Sequence, residues 1–389
     1  MREGRRSYLL VVTLLLILLG LAFRLPARQQ KSENANAPQK VDLAQREQTA
    51  SPQIQDLLRK LRAQIAEKKL GFEIGYTTAL DKKLEVLAAT RLPKDLPALA
   101  EKQNSIADKL LTIDMATRDS FNKAHPNLLP ELIVRNKFPT PCGDQSAFDW
   151  RKLGKVTPVR DQDGCGSCWD FSAIGAFEGS YLLRNGVAIN ASEQQILSCS
   201  KGGTCAGGWP YLVFEYLISN GTATAASYPY TATDSPCNTS VALPYRAVVW
   251  GYVAPDGGIP SVQAMKNALC QYGPLSITVY VDSLFQAYTS GVFKDIPSAS
   301  SPGINHAITL IGWDDSKHAW LIKNSWGTGW GETGEYGSSR GFMWIDYDTN
   351  NIGMAAAWVQ AQNRFYRLPP QYFELLPNIR PLPKPVALK

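Results

Sequence analysis

The chain reads as an α+β protein, with a helical N-terminal region followed by a region of short helices and strands that holds all seven cysteines. Three observations carry this. Before residue 140, apolar residues recur at helical spacing in two long stretches. From Cys142 onward the texture changes to Gly, Trp, Tyr and short β-like runs. Near the C-terminal third a hairpin is legible: Ala307 to Trp313, a polar turn through Asp314-Asp315-Ser316-Lys317, then Ala319 to Lys323.

Taken in order, Arg2, Arg5 and Arg6 precede an uninterrupted apolar run from Tyr8 to Phe23, closed by Arg24. A membrane-spanning helix needs about 20 apolar residues, and this run falls short of that. Residues 1–28 are therefore expected to be a secretory signal, with an uncleaved signal anchor as the alternative because Leu25-Pro26-Ala27 is a poor cleavage site. Either way the body leaves the cytoplasm for an extracellular, periplasmic or lysosome-like compartment. Membrane contact follows only if the segment stays as an anchor.

Gln29 to Gln53 is polar and reads as a linker. Ile54 to Leu70 is an amphipathic helix with Ile54, Leu57, Leu58, Leu61, Ile65 and Leu70 on one side. A second helix spans about Leu96 to Phe121, and breaks follow at Pro126, Pro130, Pro139 and Pro141. No cysteine precedes Cys142, which places a boundary near residue 140. The expected division is a helical accessory region over 29–140, a cysteine-bearing domain over 141–360, and a tail over 361–389. That tail holds six prolines and reads as extended.

The net charge of +6 is small for 389 residues, and no basic block is interleaved with aromatics. Nucleic-acid binding is excluded as a class on that ground. An odd cysteine count in an exported chain means up to three disulfides and one thiol left over. In the cysteine-bearing region, helices are expected from Cys168 to a stop at Asn185-Gly186, at Glu193 to Cys199 behind a Ser192…Gln195 capping box, at Trp209 to Ser219 and at Val262 to Tyr272. Leu275 to Val281 alternates like a strand.

The chemistry centres on Cys168, where the Gly-rich turn Gly164-Cys165-Gly166-Ser167 gives way to a helix. Unpaired N–H groups and the positive end of the helix dipole favour thiolate there. A thiolate nucleophile needs a base, and the base needs an orienting partner. Of the three histidines, His125 precedes a proline in the first region and His318 follows an exposed turn. His306 opens a strand. If the hairpin turn is centred between Asp315 and Ser316, His306 lies opposite Ser325, with Asn324 one residue away. A neutral amide there fixes the ring tautomer, and Trp326 covers the bond from water.

Cys165-Gly166-Ser167-Cys168-Trp169 resembles the signature of the papain/cathepsin cysteine peptidases, in which His and Asn follow about 130 to 150 residues downstream. His306 is 138 residues on (306 − 168) and Asn324 is 156 (324 − 168), slightly beyond. Lys323-Asn324-Ser325-Trp326-Gly327-Thr328-Gly329-Trp330-Gly331 resembles the Asn region of that family, and Gln162 matches its oxyanion-hole glutamine. Cys205-Ala206-Gly207-Gly208 is similar to its glycine wall, along which Gly207 and Gly208 bind an extended peptide. The likeness spans about Phe148 to Val359.

This resemblance implies a papain-like two-lobed fold: a helical lobe with Cys168, a β-barrel-like lobe with His306 and Asn324, and a substrate cleft between them. It implies a cysteine endopeptidase acting on polypeptides through a Cys168 thiolate and His306 imidazolium. Exopeptidase-type insertions are not seen before Cys168 or around Gly207. By the same likeness Cys165 would bond Cys205, and Cys199 would bond Cys237. Cys142 and Cys270 match no usual bridge, and their pairing rests only on the odd count. The second subsite would be formed by Trp209, Pro210, Ile304, Thr278 and Ala357, an apolar set that expects a bulky apolar residue two before the cut. No cofactor and no metal is called for.

Residues 29–140 sit where the family keeps an inhibitory propeptide, although the usual propeptide helix motif is not found. A zymogen inhibited by its own N-terminal region is expected, with a permanent accessory region as the alternative. Asp170 departs from the small apolar residue usual there, and Thr333 to Arg340 is longer than the usual loop. Two other functions stay open. A catalytically silent binding protein on this fold usually lacks one of the four residues Cys168, His306, Asn324 and Gln162. A C-x-x-C thiol–disulfide oxidoreductase expects a βαβ context that is missing here.

Overall fold

The computed structural model describes residues 41–126, 142–333 and 339–376. The apolar run at 8–23, the prolines at 130, 139 and 141, most of the loop at 333–340 and the end of the tail lie outside these residues. The described residues form one compact unit.

The N-terminal part begins with α1 (Leu43–Gln48) and α2 (Pro52–Lys68). Part of the stretch expected as a linker is therefore helical. α1 buries no residue, but the Asp42 carboxylate accepts from the N–H groups of Ala44 and Gln45, so a cap and not a core starts it. Ser51 caps α2, with Pro52 at the first position, where a missing N–H costs nothing. Then come β1 (Phe72–Ile74), α3 (Leu84–Leu87) and the long α4 (Leu96–Ala124). The region expected to be all helix thus also supplies a strand, which pairs antiparallel with β7 below.

The cysteine-bearing part runs β2 (Ala147–Asp149), α5 (Cys168–Asn185), α6 (Glu193–Cys199), β3 (Gly203–Thr204), β4 (Gly207–Gly208) and α7 (Pro210–Ser219). β5 (Ala247–Tyr252), α8 (Val262–Tyr272), β6 (Leu275–Val279), α9 (Ser283–Ala287) and β7 (Tyr288–Phe293) follow. The chain closes with β8 (His306–Asp314), β9 (Ala319–Lys323), β10 (Phe342–Asp346), β11 (Met354–Ala361) and α10 (Pro370–Glu374). The main sheet has the order β1-β7-β10-β9-β8-β6-β11-β5, with β2 added on β8. Its pairs are antiparallel except β10 with β7.

Two cores define two lobes. One is built on the sheet around Ile308, Leu310, Trp313, Trp320, Phe285 and Trp330. The other surrounds α5 and α7 with Trp169, Phe177, Val213 and Phe214. Each such side chain contributes roughly 1.5–3 kcal/mol by leaving water. α5 is buried nearly all round, which explains why its apolar residues are not confined to one stripe. It lies against β8 and β11. A Cβ at Gly175 would sit 2.5 Å from Thr309 Oγ1, so only glycine lets helix and strand approach this closely.

Three disulfides are present: Cys142–Cys270, Cys165–Cys205 and Cys199–Cys237, with Cys168 left as a buried free thiol. Three local readings are corrected. Ser192 Oγ accepts from Gln195 N at 2.9 Å, but the Gln195 side chain donates to Tyr216 Oη instead of closing the box. The hairpin pairs Asp314 with Ala319 and Trp313 with Trp320, a turn centred one residue later than expected. A bulge between Leu310 and Gly312 then pairs Thr309 with Lys323. The tail is not extended throughout either: Tyr366, Leu368 and Tyr372 are buried against the body, because apolar residues lie between its prolines.

Candidate active site

Cys168 is the first residue of α5, behind Ser167, which makes no side-chain cap. The disulfide Cys165–Cys205 and the bond from Gly166 N to Cys205 O at 2.9 Å hold the preceding turn. The sulfur is fully buried. Burial pushes its thiol up, but the charge of the neighbouring His306 ring, together with the polar groups of Thr90 and Ala89, outweighs it. The net result is a thiol lowered to about 7.

His306 stands at the start of β8, fully buried. Its Nε2 faces Asn324 Oδ1 at 2.8 Å, and the same oxygen accepts from Ser325 N at 2.8 Å. An amide oxygen in that position requires the proton on Nε2, which leaves Nδ1 as the basic nitrogen. Nδ1 is buried and has no hydrogen-bond partner. The Trp326 ring lies 4.8 Å from the imidazole, centroid to centroid, and shields the bond. The contact with Asn324 is made by the side chain, so the shifted hairpin register does not remove it.

Gln162 is tied to the same element. Its N–H donates to Ser325 O at 2.8 Å, and its Oε1 accepts from Ser325 Oγ at 2.8 Å. Its Nε2 donates to Cys165 O at 2.9 Å and to Leu87 O at 3.0 Å. The structure therefore brings Cys168, His306, Asn324 and Gln162 into one buried cluster, with Ser325 as a connector that sequence reading missed.

Gly207 and Gly208 form the short ladder with Gly203 and Thr204 beside the turn that carries Cys168. Residues 88–91 lie along this wall. Gly208 N donates to Ala89 O at 3.2 Å, Arg91 N to Gly208 O at 3.1 Å, and Thr90 N to Asn305 O at 2.8 Å. Gly207 sits at φ +120°, and a Cβ there would be 2.2 Å from Ala89 O. The pairing of Thr90 with Gly208 is parallel. Thr90 Oγ1 is 3.1 Å from Cys168 Sγ. Nothing in Ala88-Ala89-Thr90-Arg91 announces this placement, since the stretch has no periodicity and no chemical motif.

Trp209, Ala357 and Ile304 belong to one apolar cluster, and Pro210 opens α7 next to it. Thr278 is on β6, its hydroxyl turned to Met354 O at 2.7 Å. Behind the site, between the lobes, Glu178 and Glu193 from the helical side approach Lys323 and Arg160. Burial, then Glu178, raises Glu193 to about 7; burial lowers Lys323 to about 8. Far from this site, His318, Asp346 and Asp348 cluster with metal-ligand spacing. Lys294 Nζ already meets Asp346 Oδ2 at 3.1 Å, which makes the group an ion-pair cluster around a buried carboxylate.

The fold and this constellation define the class. The family model "Papain family cysteine protease" matches residues 145–360, and the chain belongs to that family. It is 38% identical over 220 residues to a digestive cysteine proteinase of Homarus americanus, covering 54% of this chain and 65% of the relative. It is 42% identical over 198 residues to a cathepsin L-like peptidase of Aedes aegypti, covering 49% and 57%. The chain thus spans less than two thirds of those relatives' length. Among solved structures, bromelain from Ananas comosus in complex with the inhibitor E64 is 33% identical, covering 56% of this chain and 99% of that one at a TM-score of 0.49.

Proposed function

We propose that this chain is a cysteine endopeptidase made as a zymogen. The observation that carries the reading is a single buried thiol at a helix N-terminus, lowered to about 7 chiefly by a His306 ring that Asn324 anchors at 2.8 Å. In this reading Cys168 Sγ attacks the scissile carbonyl, and the oxyanion is held by Gln162 Nε2 and the Cys168 N–H. His306 passes its proton to the leaving amine, and a water then attacks the thioester, returning its proton to the imidazole.

The N-terminal segment is read as the inhibitor on chemical grounds. It meets the sulfur with the Thr90 hydroxyl, a group that the thiolate cannot acylate itself on. Leu87 O meanwhile occupies the Gln162 donor. The apolar cluster of Trp209, Ile304 and Ala357 beside the glycine wall supports a preference for a bulky apolar side chain two residues before the cut. Pro210 and Thr278 complete the proposed subsite. A lobster digestive proteinase and a mosquito cathepsin L-like peptidase among the relatives, together with three disulfides, support an extracytoplasmic location. No helix among the described residues is long and apolar enough to cross a membrane.

The test is hydrolysis of dipeptide fluorophores by the matured wild type and by Cys168→Ala, with labelling by a thiol-reactive peptide epoxide. Activity and labelling are expected only in the wild type. A matured wild type that neither cleaves nor takes the label at Cys168 overturns the reading.

A further inference from the structure

The outer edge of β5 is closed by side chains from outside the family's matched segment. β5 is the last strand of the sheet, and its partner β11 covers only one side. On the open side, Gln103 Nε2 of α4 donates to Trp250 O at 2.7 Å, and Asn104 Oδ1 of α4 accepts from Tyr252 N at 2.8 Å. One pair of residues further along the edge, Tyr372 Oη of α10 donates to Val248 O. Three alternate residues of an edge strand thus each have one outward backbone group satisfied by these two helices. An uncovered edge would offer the same groups to any other strand.

α4 is also fixed by charge. Asp114 is buried and accepts from Arg184 Nη2 through both oxygens, at 2.9 and 2.8 Å. Arg184 is in the last turn of α5, the helix that starts at Cys168. Tyr366 Oη, from the C-terminal segment, accepts from Arg184 at 2.8 Å and donates to Asp114 at 2.9 Å. Arg184 Nη1 donates to Gln360 Oε1 of β11 at 2.7 Å. Ala100, Ala107 and Leu110 of α4 are buried in the two cores.

The residues before α4 are held differently. Besides β1 on β7 and Leu58, Phe72, Ile74 and Leu80 in the sheet-side core, they are tied to the body by two ion pairs, Lys68–Asp295 and Lys82–Asp163, each with one partner well exposed. Pairs of that kind hold weakly and are screened by salt. Between the two parts, Leu92 is 37% exposed and Lys94 and Asp95 are exposed, with no strand or helix.

We propose that the N-terminal region divides at Leu92–Asp95. Residues 42–91 are the removable block, and α4 is a permanent component of the catalytic body that caps the β5 edge together with the C-terminal segment. Calling 42–91 a block rests on the peptidase reading; the retention of α4 does not.

The test uses the full chain carrying Cys168→Ala, so that no activity of its own is needed. Recognition sequences for a site-specific protease are placed at 92–95 and after Pro126, and both are cut. Size-exclusion chromatography at acidic pH with mass spectrometry should find the α4 peptide in the same peak as the body and the 42–91 peptide in a separate one. Joint release of both peptides, or retention of both, overturns the division. If the insertions prevent folding, hydrogen exchange on the Cys168→Ala chain without them decides. α4 amides should match those of β11, while those of α2 exchange at least about tenfold faster. Equal protection of α2 and α4 overturns the proposal.

Discussion

Thr90 places its hydroxyl oxygen 3.1 Å from the sulfur of Cys168, from a position 78 residues earlier in the chain. The contact is part of a short parallel pairing on Gly208, and it leaves the nucleophile fully buried. A buried thiolate reacts only in the fraction of molecules in which the segment has lifted, and the observed rate falls by that fraction. Alkylation of Cys168 by iodoacetamide should therefore be slower in the intact chain than after removal of residues up to 91, by about tenfold for every 1.4 kcal/mol of closure. Mass spectrometry of timed samples measures it. Equal rates would mean that the segment does not guard the sulfur.

In the proposed mechanism the Asn324 amide acts through His306, so its removal should lower turnover with little change in substrate binding. Asn324→Ala is expected to lose on the order of 10² in kcat, the usual scale for about 1 Å of misplacement. In the proposed reaction Gln162 donates to the oxyanion, and Gln162→Ala should then cost about 10²–10³ in kcat. Steady-state kinetics on a dipeptide fluorophore separates the two cases from a binding defect, in which KM alone would rise. Gln162 also anchors Ser325 through Oε1. A thermal melt on each variant therefore accompanies the kinetics.

The candidate site was legible because its parts carry local signals: a thiol where a turn becomes a helix, and a histidine and an amide at the ends of the two strands of one hairpin. Less legible was what depends on long-range packing. The segment over Cys168 is Ala-Ala-Thr-Arg, which carries no pattern, since its hold comes from backbone bonds to Gly208 and Asn305. The hairpin register was displaced by a turn centred one residue later than expected, and no residue type announces that turn or the bulge at Leu310–Gly312 that takes back half of the shift. Prolines suggested an extended tail, yet Tyr366 and Tyr372 find buried partners supplied by α4, α5 and β5. A linker reading missed α1 because composition reports burial and says little about an Asp cap.

The thiol value gives a pH signature. Its ordinary value is 9.0, and here it is lowered to about 7, with burial opposing the shift and His306 the largest favourable cause. A lowered value means that the thiolate contributes stability above the ordinary thiol range, and that this is lost as pH falls through about 7. In the intact chain, the alkylation rate corrected for reagent should rise with a midpoint near pH 7. His306→Ala removes the charge while leaving the burial, and should move the midpoint upward by more than a unit. Stopped-flow or quenched alkylation from pH 5 to 10 measures both. An unchanged midpoint in His306→Ala would remove the imidazole from the account.

Asp170 is the residue whose presence beside a thiolate most needs an explanation. It stands in the first turn of α5, two residues after Cys168, and is fully buried. Neither carboxyl oxygen has a hydrogen-bond partner. Burial raises its pKa well above the usual carboxylate value, and Glu193 adds to the rise. A neutral carboxylic acid does not oppose the charge on the sulfur, which is how the two coexist. The linkage follows from the sign of the shift. With the folded value raised, the group's contribution is intact below the unfolded value of 3.8 and is lost as pH climbs toward the folded one. Between those limits the unfolded chain ionises and the folded one does not, so stability falls by about 1.4 kcal/mol per pH unit from this group alone. Asp170→Asn removes that slope. Chemical denaturation of the two proteins from pH 4 upward should show a gap in favour of Asn that widens with pH, while the alkylation midpoint of Cys168 stays in place. A midpoint that drops in Asp170→Asn would show instead that the carboxylate is ionised and opposes the thiolate directly.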